Sequence, residues 1–346
     1  MKNRKILLIN HHLVNFAGSE NLTLDLANFF KEKEWDLYVA TFLKGSPILN
    51  LFEKSGIKVF NILFENLPEQ NFDLVWAHHF PSIIDVFTKQ KVRTKNLVLS
   101  SLSPYEPLET LPIYFVEKAD IVLANSAETY ENILSYVNVN RNLNLRIFPN
   151  SVRSYFFRYF NPKKVNSLKN IAIVSNHPPK ELLLLKKKLE KSSINLDIYG
   201  INHKFKLITP ELLSIYDTVI TIGKTVQYAM ALGIPVYCYD HFGGPGWVTK
   251  ENYEKAEYYN YSGRCTNHKK DVETILKELL EGFYMAFNYR EFFYELALNK
   301  YNFEKNVESI LKDIPFREDY IYFDSKYLLW LEKINEVYKR EFKIRI

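Results

Sequence analysis

Short apolar runs alternate with longer amphipathic stretches along the first half of the chain. The runs predict strands at Lys5–Ile9, Asp36–Thr41, Lys58–Ile62, Leu74–Ala77, Asn96–Ser100 and Ile121–Ala124. Glu20–Lys33 carries Leu22, Leu24, Leu26, Ala27, Phe29 and Phe30 and reads as a helix between the first two. Strands that are apolar throughout, separated by helices, predict a parallel sheet covered on both faces. The pattern breaks over 151–169, SVRSYFFRYFNPKKVNSLK, which is basic and aromatic without clean periodicity. It resumes with Ile171–Val174, Leu196–Tyr199, Val219–Ile222 and Val236–Tyr239, and Leu182–Leu189 fits a helix with one apolar face. The fold class expected is α/β, with one parallel-sheet domain over 1–155, a second over 168–300 and a helical segment over 301–346. In that last segment Tyr327–Phe342 sets Leu328, Leu331, Ile334 and Val337 three residues apart. This predicts a helix docked on the body of the protein or, alternatively, lying on a membrane surface.

Composition narrows the class. With 346 residues, 47% hydrophobic and 25% charged, the chain is globular and long enough for two domains. The net charge of +5 suits an anionic small molecule or a membrane surface. It is too diffuse for nucleic acid, which calls for a basic stripe. Two cysteines, Cys238 and Cys265, read as reduced thiols. No C-x-x-C or H-E-x-x-H pattern supports a metal. The start, MKNRKILLIN, is too short in apolar residues for a signal peptide, so a cytoplasmic protein is expected, with peripheral membrane contact at most.

In open parallel sheets, ligands bind beyond the carboxyl ends of the strands. Two loops of the second half qualify. DTVITI is followed by Gly223-Lys224, a helix over Thr225–Leu232, Gly233 where positive φ is expected, Pro235, and the strand VYCYD. The next residues, in YDHFGGPGW (239–247), place Gly243, Gly244 and Gly246 together in a chain with 11 glycines. The amides opening the helix at Gly223-Lys224-Thr225, the charge of Lys224 and a nest at Gly243-Gly244 would cradle a phosphate or pyrophosphate. The alternative is a pair of structural turns. No P-loop and no G-x-G-x-x-G followed by an acid is present, which disfavours ATPase and dinucleotide readings.

Six of eight histidines fall at or just past predicted strand ends: His11, His12, His78, His79, His177 and His241. Imidazoles there can bind phosphates or sugar hydroxyls and exchange protons, or be buried structural groups. Gly18, with Ser19 and Glu20, opens the first helix and would admit a ligand closely, unless it is a plain turn.

Taken together these features resemble the GT-B glycosyltransferases, notably the large retaining family of bacterial polysaccharide synthesis. AGSE (17–20) is similar to a G-G-x-E loop. FDLVWAHH sets His78 where the family has D-x-V-x-x-H, and ADIVLANSAET supplies Asn125-Ser126. PNSV (149–152) resembles P-N-G-V, and YAMALGIPV (228–236) resembles E-A-M-A-x-G-x-P-V. YDHFGGPGW followed by NYSGR (260–264) looks like a subgroup among surface-polysaccharide transferases, and the likeness spans roughly 5–310.

The resemblance implies two Rossmann-like domains facing across a cleft, the first binding an acceptor and the second a nucleotide-diphosphate sugar. It also implies C-terminal helices packing back on the N-terminal domain. The activity implied is hexosyl transfer to a glycan or lipid-linked acceptor in capsule, exopolysaccharide or lipopolysaccharide synthesis, with retention and without metal or other cofactor. His78 would sit near the reacting sugar. Gly18, His177, Lys180, Gly223, Lys224, Thr225, Tyr228, His241, Gly243 and Gly244 would hold the donor. Two departures stand out. The family's paired glutamates fall on Ile220 and Tyr228, leaving Gln227 or Tyr228 to meet the nucleotide, and its Arg–Lys pair is reduced to Lys180 with His177. The connector at 154–164 would touch a membrane or form a buried hinge. A nucleotide-sugar epimerase of similar fold, or a non-catalytic relative that binds a glycan or steadies an active partner, are the competing readings.

Overall fold

The structure, a computed structural model, describes residues 4–137, 143–160, 167–190 and 192–341. The chain forms two compact units. One runs from the N-terminus to Asn125, with Thr129–Ile147 and everything from Glu308 on; the other holds Ser126–Glu128 and Phe148–Val307.

The first unit is built on β1 (Lys5–Ile9), β2 (His12–Leu13), β3 (Asp36–Thr41), β4 (Leu43–Lys44), β5 (Val59–Asn61), β6 (Asn71–His78), β7 (Arg93–Ser101), β8 (Ile121–Ala124) and β9 (Leu145–Ile147). Seven of these form one sheet, in the order β5-β3-β1-β6-β7-β8-β9, and every pairing is parallel. The short β2 and β4 pair separately. Leu7, Leu8, Ile9, Val75 and Trp76 are fully covered, because helices lie on both faces of the sheet. The order reverses direction at β1 and β6, so loops leaving those two strands diverge and open a crevice between them.

The C-terminal helix, Ser325–Glu341, packs on helix Phe80–Thr88 within this unit. The expected apolar line of Leu328, Leu331, Ile334 and Val337 is not the inward face. Steps of three residues lag the helix by about 60° each, so Ile334 and Val337 rotate outward and are exposed. The inward line is Leu331, Asn335 and Lys339. Asn335 donates to Pro81 O (2.8 Å) and to Asp85 Oδ1 (2.7 Å), and Lys339 is paired with Asp85, both side chains 1% exposed. Phe342 lies outside the described residues. Among the described residues no helix is long and apolar enough to cross a membrane.

The second unit carries β10 (Asn170–Val174), β11 (Asn195–Tyr199), β12 (Thr218–Thr221), β13 (Val236–Asp240) and β14 (Gly243–Trp247), in the order β11-β10-β12-β13-β14. The first four are parallel; β14 turns back antiparallel on β13. The glycine-rich stretch read as a loop is thus mostly a strand. A Cβ at Gly243 would lie 1.9 Å from His268 O, and one at Gly244 2.1 Å from Cys238 O. These glycines let backbones touch, which accounts for their concentration here. Of the connector, Ser154–Tyr159 forms a short 3₁₀ turn whose Phe156 and Phe157 are core residues of this unit; its residues 161–164 lie outside the described set. Cys238 and Cys265 are buried free thiols.

Candidate functional site

Three strand ends adjoin in the second unit. β10 leads through Ser175–Pro179 into helix Lys180–Leu189, β12 through Ile222-Gly223 into helix Lys224–Ala231, and β13 into His241-Phe242. The Gly223 turn is the most constrained. Gly223 takes φ +58° and ψ −140°, closed to most L-residues. A Cβ there would meet nothing nearer than Asn260 Nδ2 at 3.9 Å. The space beside Gly223 is therefore open, in contrast to Gly243 and Gly244. Lys224 and Thr225 open the helix whose free amides carry partial positive charge.

Two asparagines flank this turn. Asn150 Nδ2 donates to Asn260 Oδ1 (2.8 Å), and Asn260 holds φ +52°. The motifs PNSV and NYSGR, far apart in sequence, meet here. Asp240 fixes the neighbouring loops: its Oδ1 accepts from Phe242 N (2.7 Å), and its Oδ2 from Ser262 Oγ (2.7 Å) and Gly263 N (3.0 Å). The sequence reading assigned no role to Asn150, Asn260, Asp240 or Ser262. Their signal was only that all four lie in or beside the motif stretches.

The remaining expected donor residues separate into two groups. His177 and Lys180 are exposed at the β10 edge, with His177 N donating to Ser175 Oγ (3.2 Å). His241 is exposed, its ring 4.0 Å from that of Phe242. Gly243 and Gly244 do not form a free nest: Gly244 N already donates to His268 O (3.2 Å), within the packed hairpin. Tyr228 is a core residue stacked on Phe156, with Lys224 Nζ 5.6 Å from its ring centroid. Gln227 is buried, and the amide orientation that its surroundings require has the nitrogen donating to Gly223 O (2.8 Å) and Lys224 O (3.2 Å). The two residues expected to replace a ribose-binding glutamate thus support the Gly223 turn from beneath, and Ile220 is fully buried in β12.

The first unit has a cluster of its own at the ends of β1 and β6. Gly18 is exposed, with nothing within 4 Å of a built Cβ. Glu20 accepts from Val14 N (2.6 Å), Asn15 N (2.7 Å) and Ala17 N (3.1 Å), which ties down the loop ahead of Gly18. Burial raises its carboxyl above the ordinary value.

His78, the expected sugar contact, is 1% exposed, and neither ring nitrogen has a hydrogen-bond partner. Burial, then neighbouring His79, pushes it down to about 3. His79 occupies φ +67°, a strained conformation for a side chain of this size. Its Nδ1 accepts from His11 N (3.3 Å), so its Nε2 carries the proton and donates to Glu109 Oε1 (3.1 Å). Glu109 Oε2 also accepts from Leu102 N (2.8 Å). His12 stacks on His79 with centroids 5.3 Å and planes 8° apart, and it alone of these four imidazoles is half-exposed. Burial holds His11 near 3 and His12 near 4. At neutral pH His11, His12 and His78 are uncharged, suited to hydrogen-bonding hydroxyls rather than pairing with phosphate. Of these imidazoles His12 has access to solvent, whereas His78 is covered.

Similarity to known structures agrees with this layout. Staphylococcus aureus TarM, solved with UDP, fondaparinux and α-GlcNAc-glycerol, superposes with a TM-score of 0.58 at 12% identity, covering 91% of this chain and 100% of that one. The fold is GT-B. A glycosyltransferase from Rickettsia africae gives 0.56 at 12% identity over 90% of this chain and 98% of its own. The pneumococcal O-GlcNAc transferase GtfA, solved with UDP and GlcNAc, gives 0.54 at 11% over 90% and 98%. No protein-family model and no curated protein sequence matches the chain. The GT-B assignment therefore rests on backbone architecture, and at such identities it speaks for fold alone.

Proposed function

We propose that this chain is a glycosyltransferase that moves a sugar from a nucleotide diphosphate to a glycan or lipid-linked acceptor in bacterial surface-polysaccharide synthesis. The observation that carries the reading is the open Gly223 turn. It joins a helix N-terminus, Lys224 and the Asn150–Asn260 pair at the carboxyl edge of a parallel sheet on a GT-B fold. TarM and GtfA, with that fold, were solved with UDP. As the glycosidic bond breaks, negative charge grows on the leaving pyrophosphate. Fixed amides and cations aimed at that charge lower the barrier electrostatically. Lys224 is the first such cation, with Lys180 and His177 on the adjoining strand edge. The reading includes retention, in which the donor phosphate takes the acceptor proton, action without a metal, and work in the cytoplasm.

A non-catalytic relative that binds a glycan or steadies an active partner is the second reading, and its one support is that the positions of both family glutamates are core positions here, Ile220 and Tyr228. Thermal shifts with UDP, GDP, CDP and dTDP, followed by incubation with the matching sugar donors, separate the readings. Stabilisation by one nucleotide with turnover of its sugar donor is the expected result. Stabilisation without hydrolysis or transfer points to the non-catalytic relative, and no stabilisation by any nucleotide removes the transferase.

A further inference from the structure

Among the described residues, one face of the C-terminal helix Ser325–Glu341 is exposed. At about 100° per residue, its outward arc runs from Leu329 through Arg340, Lys333, Lys326 and Val337 to Trp330. This arc of about 100° contains three cations, three apolar side chains and no acid. All six residues are exposed, Trp330 to 60%. The acids nearest the arc stand about 20° beyond each end: Glu336, bound to Lys89 and Lys339, and Glu341, exposed in the last turn.

A second observation lies in the same unit. A cavity of about 320 Å³ is lined by Lys91, Arg93, Tyr320, Tyr322, Phe323 and, from the C-terminal helix itself, Leu328. Arg93 sits 4.2 Å from the Tyr320 ring centroid, and Tyr322 is largely exposed. Among the described residues none of Lys91, Arg93, Lys326, Lys333 and Arg340 is paired with a carboxylate.

We infer that this helix face docks on an anionic lipid surface, with Trp330, Val337 and Leu329 entering the headgroup boundary and the cations meeting lipid phosphates. Charge complementarity selects the occupant: unpaired cations of one sign are interleaved with apolar groups on a convex rod. That arrangement suits a flat anionic interface, where tryptophan and snorkelling lysines share one depth. A peptide would call for a groove. The docking is independent of the transferase reading.

The test uses the full chain with vesicles of phosphatidylcholine alone or mixed with phosphatidylglycerol. Co-sedimentation with the mixed vesicles only, weakened by added salt, is expected. The fluorescence should shift to the blue, reported mainly by Trp330, since Trp76 and Trp247 are buried and Trp35 half-buried. Each of Lys326→Glu, Lys333→Glu and Arg340→Glu should lower partitioning by about fivefold or more, the worth of one basic residue at such a surface. Melting temperature and any nucleotide-induced thermal shift should stay unchanged in these variants, which keeps this result separate from the donor site. Binding to neither vesicle, equal binding to both, or binding unaffected by the three reversals together with Trp330→Ala would overturn the inference. So would a self-associated form of the chain that the same substitutions disperse.

Discussion

The ring of Tyr228 lies almost flat on that of Phe156, centroids 4.5 Å and planes 20° apart. A residue one turn past the Gly223 loop is thereby committed to the core, beneath Lys224. Tyr228→Glu places a carboxylate against that aromatic wall. The expected result is a loss of roughly 2–5 kcal/mol of stability, read as a fall in melting temperature, with no gain in nucleotide affinity. Tyr228→Phe should keep both stability and nucleotide affinity near those of the native chain. A glutamate that instead tightened nucleotide binding would show that the side chain can leave the core and serve the ribose.

Gly223 and Lys224 are separable by substitution. Gly223→Ala meets no neighbour but must hold a φ of +58°, at a cost of about 1–3 kcal/mol. Lys224→Ala leaves the turn intact and removes one charge-assisted contact, worth about 1.5–3 kcal/mol, or roughly tenfold to a hundredfold in affinity for the nucleoside diphosphate. Calorimetric titration of both variants checks the assignment. Native affinity in Lys224→Ala would move the pyrophosphate elsewhere.

The histidines of the first unit predict a pH dependence. His11, His12 and His78 titrate near 3, 4 and 3 when folded and near 6.5 when unfolded. Between these values the unfolded chain binds more protons, so stability is full above about pH 6.5 and falls as the pH drops toward 4. His78→Leu replaces an unpartnered buried imidazole with an apolar group. It should raise the melting temperature at pH 5 and flatten the slope of stability against pH by up to about 1.4 kcal/mol per unit. An unchanged slope would mean that His78 is solvated or paired in the folded protein. If transfer activity is found, His12→Ala should reduce it more than His78→Leu.

The buried pair of Lys339 and Asp85 gives a fourth outcome. Removing one partner, as in Lys339→Met, leaves a buried carboxylate with only Asn335 and the more distant Lys89 (4.0 Å), and should cost about 3–5 kcal/mol in chemical denaturation. The double variant Asp85→Leu with Lys339→Met should recover most of that loss. If it does not, the pair is held by more than mutual compensation.

What could be read ahead of the structure was set by local rules. Leu7, Leu8 and Ile9 announce a covered strand because each step of the chain is apolar, and Gly233 announces its positive φ because a helix ends just before it. The glycines of YDHFGGPGW could not be read this way. Their reason is contact with the backbone of His268 and Cys238, which no local pattern records. Glu20 looked like a first-turn acid, yet it gathers three amides of a loop whose path the sequence does not state. The C-terminal helix was legible as a helix but not in its orientation, since its inward side is marked by Asn335 and Lys339 beside Leu331, and not by Ile334 or Val337. In the candidate site, Gly223 and Lys224 followed from strand–helix punctuation. Asn150 and Asn260 could be joined only by folding.

The hairpin strand β14 also closes the second sheet. A sheet's last strand is where a foreign strand would add and begin aggregation. Here that position is filled by Gly-Gly-Pro-Gly, and Pro245 has no amide hydrogen to offer a newcomer. The same short stretch that lets two backbones meet inside the unit makes its border a poor template for growth.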